Sequence, residues 1–406
     1  MDIKAIREDF PILRKKIQGK PLVYLDNAAT THKPKAVLDR IIEFCTQDYS
    51  NIHRGAYFLS EESSALYEKA RETVKSFIHA DSANEIIFTR GTTESINLVA
   101  DSFGSAFINV GDEIIISEME HHSNIVPWQR LCQRKGAFLK VIPFNEDGVL
   151  LISKLKTLIT NKTKLVAITY VSNVLGVVND VKEIIKTTSA GDIPVLIDGA
   201  QVVQHLPVNV RELNCDFFAF SGHKIYADTG IGVLYGKEKW LDAMPPYQSG
   251  GGMIDKVSFD RTTYADLPYK FEAGTGSIVS AVSLAAAIEY LEKIGLDSIF
   301  LHEQDLINYA EEKISSLSGL TLYGRNIKRC GALSFNLDNI HPYDAGMILD
   351  KMGIAVRTGI HCAEPLMQHF GVSGMIRASF AVYNMKEEID KLTEGLLKAQ
   401  SMLDSS

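Results

Sequence analysis

The chain has 406 residues, 46% hydrophobic and 23% charged, with 42 basic against 50 acidic side chains and a formal charge of −8. That is ordinary globular composition in a chain too long for one core, so a large domain with a smaller companion is expected. It excludes a nucleic-acid binder, which needs a concentrated basic face, and a membrane-spanning helix, for which no apolar run approaches ~20 residues.

Met1–Phe10 mixes charges throughout and does not read as a signal peptide. Cys45, Cys132, Cys215, Cys330 and Cys362 are scattered, odd in number and show no CxxC spacing. This argues against a disulfide framework or zinc site and for a reducing cytoplasm. In chain order, Glu85–Thr89 reads as a strand, Ser95–Ala106 as a helix, Glu113–Ser117 as a strand and Asn124–Lys135 as a helix. Leu139–Pro143 and Leu165–Tyr170 follow as strands, Val181–Ala190 as a helix, and Val195–Asp198, Phe217–Phe220 and Ile231–Tyr235 as strands. The near-continuous apolar character of these strands suits a mostly parallel sheet covered on both faces, an α/β domain of doubly wound type. From about Ser277 the pattern changes to helices Ile278–Ile294 and Ser298–Leu317, short strands near Gly331–Leu337, Ile354–Arg357 and Ile376–Phe380, and a helix from Lys386. That predicts a smaller α+β domain over 278–406, a large domain over 26–277, and an N-terminal segment 1–25 packed with the small one.

In open α/β sheets ligands bind beyond the carboxyl ends of the strands, and the chain puts polar residues there repeatedly. Gly91-Thr92-Thr93 opens a helix, which serves equally as an anion site or a plain N-cap. Asp198 ends a buried strand and needs a partner, either a structural arginine or a cationic heterocycle. His121 and His122, being adjacent, diverge on any regular backbone and suit ring stacking or a satisfied structural role better than joint metal ligation. Lys224 follows Phe220-Ser221-Gly222-His223; a lysine at the mouth of a buried sheet is a usable amine nucleophile, although most lysines are solvated. Cys362 lies between Arg357-Thr358-Gly359-Ile360-His361 and Ala363-Glu364-Pro365. Those polar neighbours suit a reactive thiol better than the buried apolar role that fits the other four cysteines. No Walker or G-x-G-x-x-G motif follows any strand.

Together these clusters resemble the fold type I pyridoxal-phosphate enzymes, specifically the cysteine desulfurase and selenocysteine lyase family. The resemblance runs in order through Tyr24-Leu25-Asp26-Asn27-Ala28-Ala29, His53-Arg54-Gly55, Arg90-Gly91-Thr92-Thr93-Glu94 and Met119-Glu120-His121-His122. It continues through Asp198-Gly199-Ala200-Gln201 and Ser221-Gly222-His223-Lys224 to Arg357-Thr358-Gly359-Ile360-His361-Cys362, whose form is similar to the group II (SufS and CsdA type) branch. The resemblance implies that Lys224 holds pyridoxal 5'-phosphate as a Schiff base and shuttles protons, and that Asp198 pairs with the pyridine nitrogen. It implies that Gln201 bonds the phenolate oxygen, that His121 stacks on the ring, and that Thr92, Thr93, Ser221 and His223 hold the phosphate. Thr275 would reach the phosphate of the partner subunit in a homodimer. Arg377 would fork onto the substrate carboxylate, with Asn173 and Arg357 completing the pocket. L-cysteine would then yield alanine and a persulfide on Cys362; selenocysteine lyase or cysteine sulfinate desulfinase activity is the alternative on the same scaffold.

The chain departs from the family pattern at Ala227-Asp228, which replaces Gly-Pro and adds a carboxylate near the site, and at Gly276-Ser277, which replaces Pro-Asn and leaves a looser loop. Ile360 stands where histidine or glutamine is common. His341-Pro342-Tyr343-Asp344 lacks the second histidine associated with a zinc-containing scaffold partner, so the resemblance implies a SufE-like sulfur acceptor serving iron–sulfur cluster assembly.

Overall fold

A computed structural model describes residues 1–324 and 327–403. Seven strands form the large sheet in the spatial order Ile86–Thr89, Gly232–Gly236, Phe217–Ser221, Val195–Asp198, Thr163–Thr169, Glu113–Ser117, Phe138–Ile142. All run parallel except Gly232–Gly236, which is antiparallel to both of its neighbours. Strands Ile86–Thr89, Gly232–Gly236, Phe217–Ser221 and Val195–Asp198 are wholly buried because branched aliphatic and aromatic side chains project from both faces and helices cover each. Phe138–Ile142 is the exception to the expected burial: it is one of the two edges and, unlike the covered edge Ile86–Thr89, leaves Phe138 and Val141 exposed. An edge strand has a neighbour on one side only, which its apolar sequence does not reveal.

The helices begin earlier or later than their apolar periodicity suggests, at Thr92 instead of Ser95 and at Val126 instead of Asn124. Helices Lys35–Glu43, Phe58–Phe77 and Ile278–Ile294 pack against one another beside the large sheet. A four-stranded antiparallel sheet, ordered Leu320–Tyr323, Ala332–Leu337, Met375–Ser379, Arg357–Gly359, carries its own core with helices Leu296–Ser315, Pro342–Lys351 and Lys386–Leu403. The single strand expected over Ile354–Arg357 is two: Ile354–Ala355 pairs in parallel with Val23–Tyr24, whereas Arg357–Gly359 pairs with Met375–Ser379. The break at Val356 separates the two ladders.

One consequence of the topology matters for the site. Thr89, Ser117, Thr169, Asp198 and Ser221 all end parallel strands, so they share one rim of the sheet. Gly232 starts the antiparallel strand at that rim, opposite Thr89 and Ser221. A Cβ there would lie 2.4 Å from the Gly91 Cα, so only glycine admits the turn that opens helix Thr92–Phe107.

Candidate active site

A cavity of about 240 Å³ opens at this rim. Thr92, Thr93, His121, Asn173, Asp198, Gln201, Ser221, His223, Lys224, Arg357, Cys362 and Arg377, twelve of the thirteen residues singled out from sequence, line it. Thr275 does not; it sits in a separate surface hollow with Arg90, Glu94 and Tyr247.

One end is built for an anion. Helix Thr92–Phe107 begins there, the Ser221 hydroxyl accepts from the Thr92 N–H at 2.8 Å and meets Thr92 Oγ1 at 2.7 Å, and Thr93 Oγ1 meets Ser123 Oγ at 2.7 Å. At the other end Asp198 is buried, and its Oδ1 accepts the Ala200 N–H at 2.9 Å, leaving Oδ2 unengaged at the cavity wall. Burial raises the Asp198 pKa, against the opposing effects of that hydrogen bond and of Lys224. Gln201 donates to the Ala28 carbonyl at 2.7 Å. The turn carrying Lys224 is braced by the loop before helix Lys35–Glu43, because Thr30 Oγ1 and the Thr31 N–H both donate to the His223 carbonyl at 3.0 Å.

Lys224 is only partly covered because it lines the cavity, yet enclosure there pushes its amine down to about 8, with Arg377 and Arg357 adding to the effect and Asp198 opposing it. His121 is held neutral, its pKa lowered to about 3 mainly by burial and then by Lys224; its Nδ1 accepts the Ser123 N–H at 3.1 Å. An uncharged flat ring, a desolvated amine, an open carboxylate oxygen and a hydroxyl-rich helix start fit a phosphorylated cationic heterocycle such as pyridoxal phosphate.

The substrate side is organised by a residue to which the sequence reading gave no role. Asp26 accepts from Arg377 Nη2 at 3.0 Å and from Arg357 Nε at 3.2 Å on both of its oxygens. Arg377 is buried, spends Nη1 on the Asn173 carbonyl at 2.8 Å and leaves Nε without a partner among the described residues. Burial lowers the Arg377 pKa while Asp26 opposes that. Glu120 was likewise passed over. It is fully buried beneath the histidine pair and takes hydrogen bonds from Ser117 Oγ at 2.5 Å, Asn124 Nδ2 at 2.7 Å and the Thr169 N–H at 2.9 Å. Burial outweighs these donors and pushes its pKa up to about 8. Its position directly before His121 in a polar run is the signal that could have found it.

Two departures from the family pattern resolve differently from expectation. The Asp228 carboxylate does not enter the cavity. It turns to helix Ile278–Ile294, where Ser280 Oγ donates to it at 3.2 Å, while the Asp228 N–H donates to Ser283 Oγ at 3.0 Å. Gly276 lies close against Tyr67, where a Cβ would come within 2.7 Å of the hydroxyl, and Glu272 just before it is gripped by Arg71 through bonds of 2.7 and 3.0 Å.

With the cavity so arranged, the fold and site define an enzyme that works through pyridoxal phosphate. The chain belongs to the aminotransferase class-V family, whose model matches residues 23–392. It is 50% identical over 405 residues to a cysteine desulfurase of Pectobacterium atrosepticum, covering 99% of each chain. It also superposes on the crystal structure of the cysteine desulfurase CsdA from Escherichia coli (TM-score 0.92, 38% identity, 99% of each chain). The apo structure of a cysteine desulfurase from Thermococcus onnurineus matches with TM-score 0.93 and 39% identity, over 99% of this chain and 98% of the other.

Proposed function

We propose that this protein is a cysteine desulfurase, converting L-cysteine to L-alanine and carrying the sulfur away as a persulfide on Cys362. The observation that carries the reading is one cavity containing both a Lys224 amine of lowered basicity and an exposed Cys362 thiol. The names of the relatives and solved structures above agree with it. Bound pyridoxal phosphate supplies a sink for electrons released at the substrate Cα. Lys224 would anchor the cofactor and then move the Cα proton; Asp198 would pair with its ring nitrogen, Gln201 would bond its ring oxygen and His121 would stack on it. Thr92, Thr93, Ser221 and His223 hold the phosphate. Arg377 and Arg357, kept together by Asp26, receive the substrate carboxylate beside Asn173. The Cys362 thiolate attacks the substrate sulfur, so that the S–S bond forms as the C–S bond breaks.

Thr275 lies apart from its own chain's cavity, which supports a homodimer in which it serves the neighbouring phosphate. A persulfide on an exposed cysteine needs a protein acceptor; we assign a SufE-like shuttle delivering sulfur to iron–sulfur cluster assembly in the cytoplasm. The test is alanine and sulfide production from L-cysteine by PLP-loaded protein in the presence of a reductant. Wild type makes both, Lys224→Ala makes neither, and Cys362→Ser falls by more than ~10²-fold while still binding PLP. A wild type that binds PLP and makes no alanine overturns the reading.

A further inference from the structure

His361 and Cys362 both occupy the left-handed backbone region, at φ 50° and 55°. Neither is glycine, and two such residues in succession persist only where surrounding structure fixes them. Part of that hold comes from the large sheet's loops. Asn173 Nδ2 donates to the His361 carbonyl at 2.8 Å, and the His122 N–H donates to the Cys362 carbonyl at 2.7 Å. The Glu364 N–H then donates to the His122 ring at Nε2, 3.2 Å away. From the small sheet, the Met375 carbonyl accepts from His361 Nε2 at 3.0 Å. A carbonyl only accepts, so that ring carries its proton on Nε2. His122 therefore brackets the cysteine, binding the carbonyl of residue 362 through its backbone and the amide of residue 364 through its ring. Its neighbour His121 lines the cavity, so one dipeptide is built against both the cofactor end and the thiol end.

We propose that His122 is a positioning residue for sulfur transfer, holding the turn that keeps the Cys362 thiol at the cavity. The proposal rests on the desulfurase reading and deepens it. Its test compares wild type, His122→Ala and His122→Gln as PLP-loaded enzymes, because glutamine Oε1 can still accept from the Glu364 amide. In His122→Ala, hydrogen exchange at the Glu364 amide accelerates by at least ~10-fold while peptides around Lys224 are unchanged. The kcat for alanine formation drops ~10-fold with KM within about twofold, because the thiol is misplaced without loss of substrate binding. The PLP absorbance stays as in wild type, and His122→Gln recovers most of both losses. Unchanged exchange at Glu364, or unchanged kcat, in His122→Ala overturns the proposal. A wild type without alanine formation fails the desulfurase reading separately, and the exchange comparison still upholds or overturns the hold on the turn.

Discussion

Lys224 follows a strand of five buried residues, Phe217–Ser221, and is partly enclosed by the cavity it lines; Cys362 sits in an exposed turn with two left-handed residues, at the end of a three-residue edge strand. The amine needs desolvation, and the end of a buried parallel strand provides it by construction. The thiol needs access to a substrate and then to an acceptor, so Cys362 itself cannot be buried, and packing reaches only its neighbours His361 and Ala363. Hydrogen bonds with His122, Asn173 and Met375 complete the hold on the turn. Reactive groups on one cavity can thus be placed by opposite means, one by burial and one by tethering.

The largest effect is expected at Asp26, which joins both arginines of the small sheet. Asp26→Ala leaves the buried Arg377 guanidinium without its ionic partner. About 3 kcal/mol of stability should be lost, at the low end for a buried pair because Asp26 keeps some exposure. Denaturant unfolding of the holoenzyme measures it, and the KM for L-cysteine should rise more than ~10-fold as the carboxylate pocket loosens.

The lysine side is sharpened by pH. Only the unprotonated amine attacks the cofactor, and burial sets Lys224 at about 8. PLP uptake by apoprotein should therefore quicken by about tenfold per pH unit below that value and level off above it. A profile rising instead through the ordinary lysine range would show an amine that is not desolvated.

A smaller effect is expected at Glu120, under the histidine pair. At acidic pH glutamine resembles the protonated acid, except that its NH₂ cannot accept from Asn124 or Ser117 as the carboxyl hydroxyl oxygen can, so Glu120→Gln should cost only about 1 kcal/mol there. The folded-state pKa of Glu120 is raised to about 8, so the folded protein holds this proton where the unfolded chain has lost it. Its contribution is complete at acidic pH and lost as pH rises through about 8. The variant should flatten that part of the stability profile, which unfolding midpoints across pH would reveal.

Most of the sheet was legible because each strand is a short apolar run whose burial depends on its own side chains, and parallel strands necessarily bring their polar ends to one rim. That rule made Lys224, Asp198, Ser221 and the Thr92–Thr93 turn candidates, and the polarity of its neighbours did so for Cys362, but their roles came only from the family resemblance. The sequence could not show that Phe138–Ile142 is an edge, that Ile354–Arg357 splits between two ladders, or that Asp228 faces a helix. Nor could it show that Asp26 joins arginines 331 and 351 residues away, or that the His122 ring holds an amide 242 residues away. Propensity and burial pattern are properties of neighbours along the chain, so sequence determined the elements and the reactive side chains. The partners of those side chains depend on how two separately cored sheets dock, and only the tertiary structure decided them.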